Sequence, residues 1–175
     1  MLYEEFEKLG DCEVSDLSLS IVEFFIGKIF PQDYKDFLKK SNGILLEGVD
    51  FDNEEVIVKG NWFDLPKYNM IRDPGVSLCL RGFYSLQEAL EIFQMDCGEG
   101  FVYEPPRFPI AFDYRGNCFY VELDEKDYGS IRFMDLCEVY HDENDEEVTI
   151  TQIIAPSFTD FVNKLRPEKE GDRDR

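Results

Sequence analysis

The sequence contains a single histidine, His141, and this scarcity limits the chemistry open to the chain. Zinc sites that use two or three histidines are excluded within one chain. A Ser/His/Asp or Cys/His catalytic centre would have to use that same residue. The phosphate-binding patterns G-x-x-x-x-G-K-[ST] and G-x-G-x-x-G are also absent. We therefore expect no cofactor and no metal ion.

The chain also lacks paired cysteines and long apolar runs. No two of the five cysteines lie within four residues of each other, so no C-x-x-C metal or redox motif is present, and we expect reduced thiols. The most apolar stretch, residues 21–30, contains Glu23 and Lys28 and is far shorter than the ~20 residues of a membrane span. The acidic start has no signal-peptide pattern. We expect a cytoplasmic protein that does not bind membranes.

Acidic residues are what this sequence has in excess. Its 175 residues include 38 Asp and Glu against 18 Lys and Arg, for a net charge of −20. Such a field repels nucleic-acid phosphates and anionic membranes and attracts basic proteins, over a Debye length of about 8 Å at physiological salt. A hydrophobic content of 43% with 16 Phe is typical of a globular domain. We therefore expect a protein partner and no nucleic acid.

Two helices are predicted near the start of the chain. Apolar residues recur at helical spacing over residues 19–29, which predicts a helix with a buried stripe. Pro31 opens a second helix because proline fits a first turn but not a helix interior. That helix ends near Gly43, a residue that adopts the left-handed conformation without a Cβ clash. The stripe of the first helix consists of Leu19, Val22, Phe25, Ile26 and Ile29.

Later segments alternate between strand and helix patterns. The clearest β pattern is a hairpin with arms at residues 108–112 and 118–123. The pair Ser85 and Glu88 predicts the start of a third helix, and Ser157 predicts the start of the last one. Each of these serines offers a side-chain oxygen to the backbone N–H groups of a first helical turn.

Three further segments complete the sequence-based picture. Residues 130–135 alternate as a strand, which would bring Arg132 across from Glu122 on the outer face. Residues 60–82 carry weak signals and are interpreted as a long connection. The order of elements predicts an α+β fold, with one domain over residues 1–166 and a disordered charged tail over 167–175. The sheet is expected to be mixed, mostly antiparallel and flanked by helices.

Three motifs follow one another along the chain. The first is Phe30-Pro-Gln-Asp-Tyr-Lys-Asp-Phe-Leu38, with Ser41-Asn-Gly43 after it. The second is Phe108-Pro-Ile-Ala-Phe-Asp113, followed by Gly116-Asn117 and Phe119-Tyr-Val-Glu-Leu123. The third is Ile154-Ala-Pro-Ser-Phe-Thr-Asp-Phe161. In this order and spacing they resemble the SUKH superfamily, which contains fungal cell wall assembly regulators and many bacterial immunity proteins.

The resemblance implies a SUKH-like α/β sandwich that binds proteins and has no catalytic centre. Bacterial members neutralise toxins, often nucleases, by capping them, so the leading hypothesis is an immunity protein for a basic toxin. The fungal branch implies the alternative, an intracellular scaffold or regulator of cell-wall or signalling machinery. The motif residues Tyr34, Phe37, Ile110 and Phe161 are expected to fill the core.

The densest acidic run lies at residues 142–147, inside a forty-residue stretch (111–150) that has 12 acidic and 3 basic side chains. One interpretation is a solvated hairpin tip that keeps the protein soluble. The other is an acidic surface that replaces phosphate in a cationic cleft and speeds association. The candidate partner-binding carboxylates are those of Asp142, Glu143, Asp145, Glu146 and Glu147.

Aromatic side chains are the second group of candidate contacts. Exposed charge pairs contribute little binding energy, whereas aromatic anchors carry most of it in protein interfaces. Four aromatic residues in loop-like sequence could be such anchors, and the alternative is that they pack beneath a long loop. They are Trp62, Phe63, Tyr68 and Tyr103.

A third hypothesis is a carboxylate enzyme. Paired carboxylates can hydrolyse glycosidic bonds or hold Mg²⁺ or Ca²⁺, but the calcium-loop pattern D-x-[DN]-x-[DN]-G is absent. In a chain with 38 acidic residues, close pairs are expected by chance. A non-enzymatic protein is therefore the preferred interpretation. The carboxylates around the predicted hairpin are those of Asp113, Glu122, Asp124 and Asp127.

Overall fold

The structure is a computed structural model. It describes residues 14–49, 55–57, 60–65, 77–98, 106–136, 140–141, 144–145 and 147–170. Within them lie four helices, two near the start, one in the middle and one near the end of the described chain. Their bounds are α1 (Asp16–Ile26), α2 (Gln32–Lys40), α3 (Leu86–Gly98) and α4 (Phe158–Asn163).

Eleven strands are described, and every pairing among them is antiparallel. The strands are β1 (Ile44–Leu45), β2 (Glu47–Val49), β3 (Glu55–Ile57), β4 (Trp62–Asp64), β5 (Ser77–Phe83), β6 (Arg107–Asp113), β7 (Cys118–Glu122), β8 (Ile131–Met134), β9 (Tyr140–His141), β10 (Glu147–Val148) and β11 (Thr151–Ala155). One sheet has the order β1-β5-β6-β7-β8-β11, and β4 also pairs with β5. The other two sheets are the hairpins β2–β3 and β9–β10. The predicted α+β class is confirmed.

Serine side chains cap the starts of α1, α3 and α4, as the sequence predicted for the last two. Ser85 Oγ accepts from the Glu88 backbone N at 3.2 Å, and Glu88 Oε2 accepts from the Ser85 backbone N at 2.8 Å. This reciprocal pair satisfies donors that the first turn of α3 leaves without helical partners. Ser157 Oγ accepts from the Asp160 backbone N at 3.0 Å and caps α4.

One aromatic cluster joins the helices to the sheet. The ring of Phe158 in α4 lies 4.8 Å from Phe37 of α2 and 5.8 Å from Phe83 of β5, measured between centroids. Phe161 lies 5.3 Å from Phe119 of β7. The core contains residues from all four helices. Burial of the motif side chains is confirmed for Tyr34, Phe37, Ile110 and Phe161.

The predicted hairpin and its alternation are confirmed in β6 and β7. Phe119 and Val121 belong to the main core, whereas Cys118 and Tyr120 belong to a separate small cluster with Met134 of β8. The two sets therefore lie on opposite faces of the sheet, as the period of two requires. Cys118 is a buried, reduced cysteine, as expected.

The first helix is placed differently from the prediction. It spans Asp16–Ile26 rather than residues 19–29, because Gly27 takes a left-handed conformation with φ 68° and ends it. Leu19 and Val22 are buried as predicted, but Phe25 and Ile29 are each 59% exposed. The apolar stripe proposed for this helix was therefore wrong at two of its positions.

The interpretation of residues 60–82 as a long connection was also wrong. Trp62–Asp64 and Ser77–Phe83 form strands β4 and β5, which pair with each other. Residues 66–76 between them lie outside the described residues. After α4, Arg166 forms an isolated bridge with Trp62. The domain over residues 1–166 and the disordered tail over 167–175 stay predictions.

Candidate protein-interaction site

The β9–β10 hairpin, in which Glu147 pairs with His141, carries two described acidic residues of the predicted run at its tip, Asp145 and Glu147. Asp145 is in the left-handed region with φ 64°, a conformation that aspartate tolerates better than most residues. Its side chain is 97% exposed, and Oδ1 lies 3.7 Å from His141 Nδ1. Asn144 and Glu147 are also exposed. The described carboxylates at this tip, those of Asp145 and Glu147, face water.

The other carboxylates of the acidic run, those of Asp142, Glu143 and Glu146, lie outside the described residues. The same holds for two of the aromatic candidates, Tyr68 and Tyr103. Their assignment to a partner surface stays a prediction.

The other two aromatic candidates are not in a loop. Trp62 is 6% exposed and Phe63 is 1% exposed, because both belong to β4. Phe63 packs on Phe161 with ring centroids 5.3 Å apart. In this structure both rings lie in the interior and not on a surface open to a partner. The sequence signal that was missed is the long-range pairing of β4 with β5, which leaves no local pattern.

A cluster of charged side chains links the end of the described chain to β4. Arg166 Nε donates to Asp64 Oδ2 at 2.8 Å, and the Lys169 Nζ lies 3.1 Å from the same oxygen. The hydrogen bonds from Arg166 and Lys169 hold the pKa of the Asp64 carboxyl well below its usual range. This cluster stabilises the fold, because its acidic and basic side chains pair with each other.

Each of the four carboxylates of the enzyme hypothesis makes a hydrogen bond or an ion pair within the fold. Asp113 Oδ1 accepts from the backbone N of Arg115 at 2.8 Å and of Asn117 at 2.9 Å, which shapes the β6–β7 turn. Asp124 Oδ1 accepts from the Asp127 backbone N at 2.7 Å. In the described part of the chain, no group of three or more His, Cys, Asp or Glu side chains could hold a metal ion.

Glu122 pairs with Arg132, as the sequence analysis predicted, but it is buried and does not lie on an exposed outer face. Its Oε1 accepts from Arg132 Nε, and the Glu122 side chain is fully buried. Burial raises the pKa of the Glu122 carboxyl, although the Arg132 guanidinium opposes this shift. Arg132 also reaches Asp127, with Nη2 4.0 Å from Oδ2. These contacts connect β7, β8 and the turn between them, so the group is structural.

An apolar surface that the sequence analysis missed lies on α1. Leu17 is 70% exposed, Ile21 59% and Phe24 89%. They are spaced at i, i+4 and i+7 and so share one side of the helix. Because the buried side of α1 is apolar too, the sequence pattern placed Leu19 and Val22 in the core but did not show that a second apolar side stays exposed. We call this surface the α1 apolar face; it consists of Leu17, Ile21, Phe24 and Phe25 of α1 and of Ile29, which follows the end of the helix.

Comparison with known proteins gives two matches. The model of the SMI1/KNR4 family (SUKH-1) matches residues 13–164 of the chain. The SPbeta prophage-derived uncharacterized protein YokK of Bacillus subtilis (strain 168) is 30% identical over 162 residues. That alignment covers 86% of this chain and 73% of the relative.

Proposed function

Because the chain belongs to the SMI1/KNR4 family (SUKH-1), we propose that it is a non-enzymatic protein-binding module that neutralises a basic toxin by covering the toxin's active site. It acts in the cytoplasm, and neither nucleic acid nor membrane is its partner. Among the described helices, none has the length and hydrophobicity that a membrane crossing requires.

The observation that carries this proposal is the charge of −20 on a chain of this family. A partner with a cationic substrate cleft, such as a nuclease, is complementary to that charge. Complementary fields raise association rate constants to as much as about 10⁸–10⁹ M⁻¹s⁻¹ at low salt. The acidic tip on β9–β10 offers exposed carboxylates at Asp145 and Glu147 for the encounter.

Several other carboxylates are engaged in contacts within the fold, and this supports a binding role over a catalytic one. Asp113, Asp124 and Glu122 are each held by hydrogen bonds within the fold. Catalytic carboxylate pairs instead point into a shared cleft at separations of about 5–9.5 Å. The surface carboxylates remain for recognition.

The relative favours toxin neutralisation over the scaffold alternative. It is described as prophage-derived and comes from a bacterium, whereas the scaffold hypothesis rests on the fungal branch of the family. We therefore take the toxin as the partner class.

The role of the tip in association is tested by removing its two described negative charges in the full chain, with Asp145→Asn and Glu147→Gln. The partner is the basic protein that the wild-type chain captures from its native host. We expect the association rate constant to fall about three- to tenfold with a nearly unchanged dissociation rate constant, because such charges steer encounter more than they hold the complex. Stopped-flow fluorescence measures both rates.

The matched control carries Glu91→Gln and Glu170→Gln, which remove two exposed charges away from the tip. Its net charge equals that of the tip variant. If both variants slow association equally, the tip has no special role and only the total charge matters. If neither variant slows it, electrostatic recognition by this protein is wrong.

A further inference from the structure

We propose that the α1 apolar face is a self-association surface, on which two copies of the chain pair their α1 helices antiparallel about a two-fold axis. The inference concerns a different surface from the acidic tip and does not depend on a toxin partner. The five apolar side chains of this face have exposed fractions that range from 59% to 89%.

The spacing of the face fits a helix pair. Leu17, Ile21 and Phe24 follow one another at intervals of four and three residues, which is the spacing of the contact seam between two packed helices. Phe25 widens the seam. The opposite side of α1, with Leu19 and Val22, is already committed to the core. The helix is therefore fixed in orientation, with an unsatisfied apolar side directed outward.

The local charge explains why a second copy fits here better than a basic protein. Residues 14–40, which contain α1 and α2, have four acidic and four basic side chains. The remaining residues hold the other 34 acidic and 14 basic side chains, so the whole charge of −20 lies outside this region. A basic partner would be drawn elsewhere on the molecule. Two copies that each carry −20 would repel each other least where the chain is locally neutral.

An antiparallel arrangement also brings the two ends of the seam together. When Ile21 lies near the two-fold axis, Leu17 lies across from the partner's Phe24. The two-fold axis repeats this contact, because the same patch is used on both copies.

The size of the face suits a moderate dimer. Its five side chains expose on the order of 600 Å² of apolar surface, since a large apolar side chain contributes roughly 150–250 Å² when fully exposed. Two such faces bury about 1,200 Å², the lower limit of stable protein interfaces. The largest apolar patch on a typical monomer is about 300–600 Å², so this face lies at the upper end of that range.

The test is sedimentation equilibrium of the full chain at about 50 and about 500 mM salt. We expect a monomer–dimer equilibrium that shifts toward dimer as salt rises, because salt screens the repulsion between two acidic copies and strengthens apolar contact. A basic toxin would show the opposite dependence. The two proposals can therefore fail independently.

The variant Phe24→Asp tests the face directly, and Met95→Asp is its matched control. Met95 is 63% exposed on α3 and is not part of the α1 apolar face. Both substitutions add one negative charge at an exposed position. We expect Phe24→Asp to weaken dimerisation at least about tenfold and Met95→Asp less than about twofold. Thermal unfolding of each variant monitors the fold.

Two results would overturn the proposal. One is a wild-type chain that stays monomeric at every concentration and salt, which would leave the face to residues 1–13 or to a different protein. The other is a dimer that Phe24→Asp leaves intact, which would place the interface elsewhere.

Discussion

At the scale of single residues, two of the three buried carboxylates among the described residues, Asp113 and Glu122, have a raised pKa. Asp113 is 3% exposed and Glu122 is fully buried, whereas most of the described acidic side chains are not buried. Burial raises the pKa of both carboxyls, and the hydrogen bonds from Asn117 to Asp113 and from Arg132 to Glu122 only partly oppose it. Each group therefore binds a proton more readily in the folded than in the unfolded chain. The consequence is a dependence of stability on pH.

We predict that the free energy of unfolding rises as the pH falls from neutral toward about 5. A group whose pKa is raised on folding stabilises the fold fully below its unfolded pKa, about 4, and loses this effect as the pH rises through its folded pKa. Glu122→Gln should flatten this slope. Urea unfolding at a series of pH values measures it.

The control for this prediction is Glu125→Gln, an exposed carboxylate in the turn after β7. It removes the same charge without removing a buried group, so it reports the effect of total charge alone. An equal slope in the Glu122→Gln variant and this control would contradict the assignment to Glu122.

At the scale of secondary-structure elements, local sequence patterns correctly predicted helix starts. Pairing between strands that are distant in sequence was not predicted. Ser85 and Ser157 cap helices through bonds within one turn, so their sequence patterns predicted both helix starts. The strand that contains Trp62 depends on pairing with Cys79, seventeen positions later. A strand-length stretch of sequence does not contain both residues, so its pattern cannot show this pairing. The predicted stripe of α1 was right at Leu19 and Val22 and wrong at Phe25 for another reason: the outer side of this helix is as apolar as its inner side.

Gly43 couples two helices and gives a prediction at this scale. Its φ of 82° is left-handed, and a Cβ there would lie 2.9 Å from the Ser85 Cβ and 3.0 Å from the Ser85 backbone N. Gly43→Ala should therefore lower the free energy of unfolding by roughly 2–4 kcal/mol, through left-handed strain and displacement of the α3 start. Chemical denaturation measures the loss.

Gly116 is the matched control, because its φ is 90° and a Cβ there would meet no atom within 4 Å. Gly116→Ala should cost only the left-handed strain, roughly 1–2 kcal/mol. Equal losses at the two positions would show that Ser85 yields without cost.

At the scale of the whole molecule, charge and apolar surface are segregated. Residues 14–40 are neutral and carry the α1 apolar face, while the rest of the chain holds the entire surplus of acid. The composition alone predicted an acidic, protein-binding surface. It did not predict the apolar face, because exposure depends on which side of α1 the core occupies. The acidic surface and the α1 apolar face are therefore available for two different contacts on one small domain.

The central claim is that this protein works by electrostatic contact with a basic protein. Its most direct test is the dissociation constant between the full chain and the captured partner, measured by calorimetry from about 50 to about 500 mM salt. The account predicts a complex whose affinity falls steadily, by at least about tenfold over this range, as salt screens the opposite charges. A partner that is not basic, or an affinity that does not change with salt, would contradict it.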